Sequence, residues 1–95
     1  MKIENFSDFE AYLHSRQLFA LLGVNRIGVF GSFARNEQFN DIDVLIEDEL
    51  PAEKLIAFKN ILDKDLDNPV DIVIAKYAEP IILFRAKRDI RYAKG

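Results

Sequence analysis

At 95 residues, 49% of them apolar and none of them cysteine, the chain reads as one small domain spanning 1–95, with room for one core and one site and no access to disulfides or thiolate metal ligation. Its formal net charge of −3 argues against direct nucleic-acid binding, which calls for a basic face. No apolar run approaches the roughly 18 residues of a membrane span, and acid and amide in Met1-Lys-Ile-Glu-Asn stand where a signal peptide is apolar, so a cytoplasmic location is the default expectation.

The first element is an amphipathic helix over residues 7–22. Phe9, Leu13, Leu18, Leu21 and Leu22 recur along it, Ser7-x-x-Glu10 forms a capping box, and Gly23 ends it. The single histidine, His14, lies on this helix and reads as a solvent or packing residue. Ile27-Gly-Val-Phe30 is short, apolar and β-prone, a buried strand that delivers Gly31-Ser32 at its C-terminal end. Ser32-Phe-Ala-Arg35 then opens a single helical turn. A strand running into such a turn exposes several backbone N–H groups, an arrangement that binds phosphate without a cationic side chain.

Asp41 to Glu47 alternates as a strand does, which sets Asp41, Asp43 and Leu45 on one face and Ile42, Val44 and Ile46 on the other. Pro51 opens the next helix, whose buried stripe is Leu55, Phe58, Leu62 and Leu66, broadened by Ile56 and Ile61. Asn68-Pro69 breaks it before Val70-Asp71-Ile-Val-Ile74, a nearly continuous apolar strand interrupted by one acid. A strand, a helix and a strand make a crossover unit, placing strand 70–74 parallel to strand 41–47 and beside it. Glu79-Pro80 starts a last helix to about Lys87, and Ile90-Arg-Tyr92 adds a short edge strand. Tyr77, Ile81, Ile82 and Phe84 fit the core or an interface, with the core favoured. The expected fold is thus α/β (α+β), a small mixed sheet with flanking helices in the order α-β-α(short)-β-α-β-α-(β).

Charge is segregated. Seven acids and no Lys or Arg lie between Asn36 and Glu53, whereas five basic residues and one acid lie from Arg85 onward. Such a block attracts cations and such a tail attracts phosphates or an acidic partner, although ordinary solvated surfaces explain most of these side chains. The informative acids are those in apolar strands. A carboxylate buried without a partner costs several kcal/mol or stays protonated, and Asp41, Asp43 and Asp71 have no basic residue close by in sequence. A divalent ion resolves the conflict, and an all-oxygen set suits Mg²⁺ or Mn²⁺. Gly31 and Ser32 would hold the phosphates; Arg35 reads equally as a contact to a phosphate or a partner and as an ordinary surface arginine after a turn. Each element alone is common; their order and sheet context carry the reading.

Gly31-Ser32-x8-Asp41-x-Asp43, preceded by an apolar strand and followed by Val70-Asp71-Ile72-Val73, resembles the minimal nucleotidyltransferases of the DNA polymerase β-like superfamily over nearly the whole chain. The resemblance implies two Mg²⁺ ions and transfer of a nucleoside monophosphate from ATP or another nucleoside triphosphate to a hydroxyl. By it Asp41, Asp43 and Asp71 are catalytic residues and metal ligands, Asp71 acting as ligand or as base, while Gly31 and Ser32 bind the triphosphate. Short members resemble antitoxins paired with a HEPN-domain toxin, silenced by adenylylation, which makes such a toxin the expected partner. Two departures stand out: the loop from Phe33 to Asn40 is shorter than the family spacing, and Asn36 replaces a glycine that commonly follows Ala-Arg. Asn tolerates the left-handed backbone this turn requires. Two other readings remain open: a non-catalytic antitoxin that blocks its partner by occupying it, and transfer to a small molecule or RNA, for which an acceptor domain is missing. Homo- and hetero-oligomers are both left open.

Overall fold

The computed structural model describes residues 1–95. Ten elements follow one another: α1 (Phe6–Ser15), α2 (Leu18–Leu22), β1 (Arg26–Phe30), α3 (Gly31–Ala34), β2 (Ile42–Ile46), α4 (Ala52–Asp65), β3 (Val70–Ile74), a 3₁₀ turn (Ala75–Tyr77), α5 (Pro80–Asp89) and β4 (Arg91–Lys94). The strands form one mixed sheet in the order β3-β2-β1-β4. β1 runs antiparallel to both its neighbours, and β2 and β3 are parallel, as the crossover through α4 requires. No helix is long and apolar enough to cross a membrane.

One face of the sheet carries the core. Ile27 and Val29 of β1, Ile42, Val44 and Ile46 of β2, Val70 of β3 and Ala93 of β4 pack there against Phe9, Leu13, Leu18, Leu22, Phe58 and Leu62 of α1, α2 and α4. The other face carries Gly28, Phe30, Asp43, Leu45, Asp71 and Tyr92, and α5 covers part of it. Gly28 is required by that packing: a Cβ there would meet Ile90 Cδ1 at 2.7 Å and the carbonyl oxygen of Leu45 at 3.3 Å.

Several sequence expectations shift. The single helix over 7–22 is two helices, because Gln17 takes a left-handed φ of 55°. The apolar spacing explains it: Leu13 to Leu18 is five residues, which puts a continuous helix out of phase, and the break lets Leu18, Phe19 and Leu22 all reach the core. The cap is Asn5, whose side chain accepts from the Asp8 amide, while Asp8 Oδ2 accepts from the Glu4 amide. Ser7, placed in a capping box by the sequence, lies inside the first turn because α1 starts earlier. Arg16 and the Tyr12 hydroxyl both donate to Asp65 Oδ2, at 2.7 and 2.8 Å, tying α1 to α4.

On α4, Phe58, Leu62 and Leu66 are buried as expected, but Ile56 is 60% exposed. The last strand is Arg91–Lys94 rather than Ile90–Tyr92: Ile90 caps α5 and fills the space above Gly28, and pairing to β1 begins at Arg91. Tyr77, Ile81, Ile82 and Phe84, favoured as core, are exposed. The small Ala86, fully buried, takes the sheet-facing position instead. His14 is exposed, with Nε2 at 2.7 Å from the Lys94 carbonyl and its ring beside Phe19.

Candidate functional site

The register brings the strand residues of the motif side by side. Phe30 pairs with Asp43 and Asp43 pairs with Asp71, and residues paired across neighbouring strands share a face. Asp41 precedes β2 on the same parity as Asp43 and is exposed. Asp43 is half-buried, and Asp71, on the edge strand, is exposed. Burial, then the charge of Asp71, then that of Asp41, pushes the Asp43 carboxyl up from 3.8 to about 6. Asp43 therefore feels the charges of both other carboxylates. The three do not, however, converge on one point within metal-ligating reach.

None of the three takes part in an ion pair with the chain's own cations. Glu47, farther along the same strand, is the contrast. It accepts a 2.7 Å hydrogen bond from the Tyr92 hydroxyl and lies 3.7 Å from Arg26 and 3.9 Å from Lys87. The fold therefore supplies cationic partners to Glu37, Glu47 and Glu49 and leaves Asp41, Asp43 and Asp71 with their charges uncompensated, a pattern typical of sites that receive a ligand. The hard oxygen donors of these aspartates have the chemistry that a divalent cation of the Mg²⁺ class takes, although all three are not within ligating reach of one point in this arrangement.

Gly31 leads from Phe30 into α3 at φ +73°, and a Cβ there would meet Asp43 Oδ2 at 2.6 Å. Glycine is needed twice over, for the left-handed backbone and for the approach of the carboxylate. Ser32 follows, half-buried, with its carbonyl accepting from the Glu37 amide at 3.1 Å. The short loop is closed by aromatic packing. Phe33 is buried edge-on against Phe39 at 4.7 Å and against Phe9 at 5.9 Å. Asn36 takes the left-handed conformation expected of it, with φ 60°. Arg35 is occupied elsewhere, with Nε 3.1 Å from Glu37 and Nη1 2.6 Å from Asp89 of α5. These carboxylates hold the guanidinium protonated even more firmly than usual. Arg35 thus ties the loop to α5 and is not directed at the three aspartates.

A cavity of about 500 Å³ opens between α4 and the outer edge of β3, lined by Leu55, Ile56, Lys59, Ile72 and Asp71 among others. Of the three aspartates it includes only Asp71. Lys59 donates there to the Val70 carbonyl at 2.6 Å and to Asp63 at 2.7 Å. Sequence reading had singled out none of the α4 residues for a site. An exposed Ile56 and a Lys59 turned to a strand edge have no signature in helical periodicity.

Comparison with known proteins bears on the whole arrangement. The profile of the family described as "Nucleotidyltransferase domain" matches residues 12–94. The chain is 32% identical to the protein adenylyltransferase MntA of Thermococcus cleftensis over 83 residues, covering 83% of this chain and 84% of that protein. It is 41% identical over 64 residues to a provisionally named protein adenylyltransferase of Methanocaldococcus jannaschii, an alignment covering 63% of this chain and 65% of that protein, just under two thirds. Among solved structures, a toxin–antitoxin complex with AMP-PNP superposes with a TM-score of 0.61 at 23% identity, covering 92% of this chain and 72% of the other. A tri-AMPylated HEPN toxin of Shewanella oneidensis in complex with MNT antitoxin gives 0.58 at 24% identity, covering 90% and 69%. These structural likenesses establish the shared fold.

Proposed function

Because the chain belongs to the nucleotidyltransferase domain family, we propose that it transfers AMP from ATP to a hydroxyl of a protein partner, a HEPN-domain toxin, with Asp41, Asp43 and Asp71 as the acidic centre. The observation that carries this reading is the side-by-side pairing of Asp43 with Asp71, both without a cationic partner, next to a glycine whose backbone admits the Asp43 carboxylate. Support for the acceptor class comes from the relatives named as protein adenylyltransferases and from the neighbour whose HEPN toxin is AMPylated.

In this reading Asp41, Asp43 and Asp71 hold Mg²⁺, with Mn²⁺ as a substitute, and the metal when bound neutralises phosphate charge and acidifies the attacking hydroxyl. Asp71, exposed on the edge strand beside Asp43, would accept a proton from an acceptor hydroxyl. Gly31 and Ser32 contact the outer phosphates. The test is transfer of α-labelled ATP to the HEPN-domain protein encoded in the same genome, with Mg²⁺ present. Asp43→Asn and Asp71→Asn are each expected to lower labelling on the order of 100-fold or more. Undiminished labelling by both variants would overturn the assignment.

A second reading, a binding module that silences its partner without chemistry, draws on two observations. The three carboxylates do not converge, and Arg35 is held by Glu37 and Asp89. Tight binding of the HEPN-domain protein with no label transferred under any divalent cation would favour it.

A further inference from the structure

Six large apolar side chains are exposed on this fold, and four of them, Tyr77, Ile81, Ile82 and Phe84, fall between positions 77 and 84. α5 has two faces. Leu83, Ala86 and Ile90 turn to the sheet, whereas Ile81, Phe84, Arg85 and Arg88, spaced i, i+3, i+4 and i+7, line the outer side. Phe84 is 67% exposed there, a large aromatic on a helix with nothing over it. The two arginines of this stripe are as unusual as its apolar residues. Arg16 is paired with Asp65, Arg26 with Glu47, and Arg35 with Glu37 and Asp89, while Arg91 stacks on the Phe6 ring. Of the six arginines in the chain only Arg85 and Arg88 have neither a carboxylate nor an aromatic ring.

We propose that this outer stripe of α5 is the docking surface for the acceptor protein, and that its occupant presents apolar side chains flanked by carboxylates. The proposal rests on the adenylyl-transfer reading and gives its acceptor a recognition site separate from the acidic centre. α5 lies over the same sheet face that carries Asp43 and Asp71, and the Ala75–Tyr77 turn runs directly from the strand bearing Asp71 to α5. A protein seated on the stripe is therefore on the side of the sheet that carries the aspartates. A second copy of this chain is a poorer occupant. Pairing the stripe with itself about its centre brings the two Arg85 side chains together with no carboxylate within the stripe to separate them.

The experiment is calorimetric titration of the full chain with the HEPN-domain protein encoded in the same genome, without nucleotide. The variants are Ile81→Ser/Phe84→Ser and Arg85→Glu/Arg88→Glu, all at exposed positions, with melting curves checking that the fold is kept. The wild type is expected to bind, and each double variant to bind about tenfold more weakly or worse, with Mg·AMP-PNP affinity unchanged. Binding by both double variants at the wild-type affinity overturns the proposal, as does failure of the wild type to bind. A wild-type dimer in sedimentation that the variants dissolve, with HEPN-domain binding untouched, also overturns it in favour of a second copy. Failure of the adenylyl-transfer reading looks different: docking that responds to these variants, with no label transferred.

Discussion

Replacing Asp43 with Asn should make the metal-free protein more stable at neutral pH, although it removes a residue of the proposed acidic centre. The carboxyl is pushed up from 3.8 to about 6 by burial and by Asp71 and Asp41. For a group raised in the folded state, the associated stability is fully present below the unfolded value and is lost as pH rises through the folded one. Ionised Asp43 is therefore a burden above about pH 6, and the neutral, near-isosteric Asn escapes it. Roughly two units at about 1.36 kcal/mol each set a ceiling, and solvent screening of a half-buried group brings the expected gain to about 1–2 kcal/mol. In a domain of this size that is a rise in Tm of about 5–15 °C. The assay is thermal melting by circular dichroism in EDTA between pH 4 and 8. The gap between Asp43→Asn and wild type should be small near pH 4, open between pH 4 and 6, and level off above. Adding Mg²⁺ or Mn²⁺ should raise the melting point of the wild type more than that of the variant. An Asp43→Asn protein that melts at or below wild type at pH 7.5 in EDTA would refute the reasoning.

Other outcomes follow from the same geometry. Gly31→Ala should destabilise through two separable effects, left-handed strain of about 1–2 kcal/mol and the clash with Asp43 Oδ2. Adding Asp43→Ala should relieve only the clash, so a double-mutant cycle by urea unfolding should show favourable coupling, and strict additivity would contradict the close approach. Phe33→Ala should cost about 3–5 kcal/mol, because Phe33 is buried between Phe9 and Phe39; hydrogen exchange should then report an opened loop over residues 35–40. Asn36→Gly should leave the melting point nearly unchanged, whereas Asn36→Val, forced to φ 60°, should lower it.

Much of the site was legible because it rests on period-two alternation and one crossover. Those two features put strand 70–74 beside strand 41–47, while the direct pairing of Asp43 with Asp71 comes from the register, and the left-handed tolerance of Asn explains Asn36. The positions that were misread share a cause: periodicity identifies an apolar stripe but does not say which neighbour covers it. In α5 the bulky Ile81 and Phe84 look more core-like than Ala86. Yet Gly28 lets Ile90, at the end of α5, come close to the sheet, and that closeness depends on a residue some sixty positions away. The break at Gln17 was available in the five-residue step from Leu13 to Leu18. The engagement of Arg35 with Asp89 was not, since it depends on where α5 lies after the chain has crossed the sheet.

The claim that most needs testing is that the acidic centre moves a nucleotidyl group onto a protein. Intact mass spectrometry of the HEPN-domain protein, after incubation with this chain, ATP and Mg²⁺, tests it directly. The account predicts a gain of whole AMP units on the partner, absent when the chain carries Asp43→Asn. A gain of phosphoryl alone, or an equal gain of AMP with the variant, would contradict it.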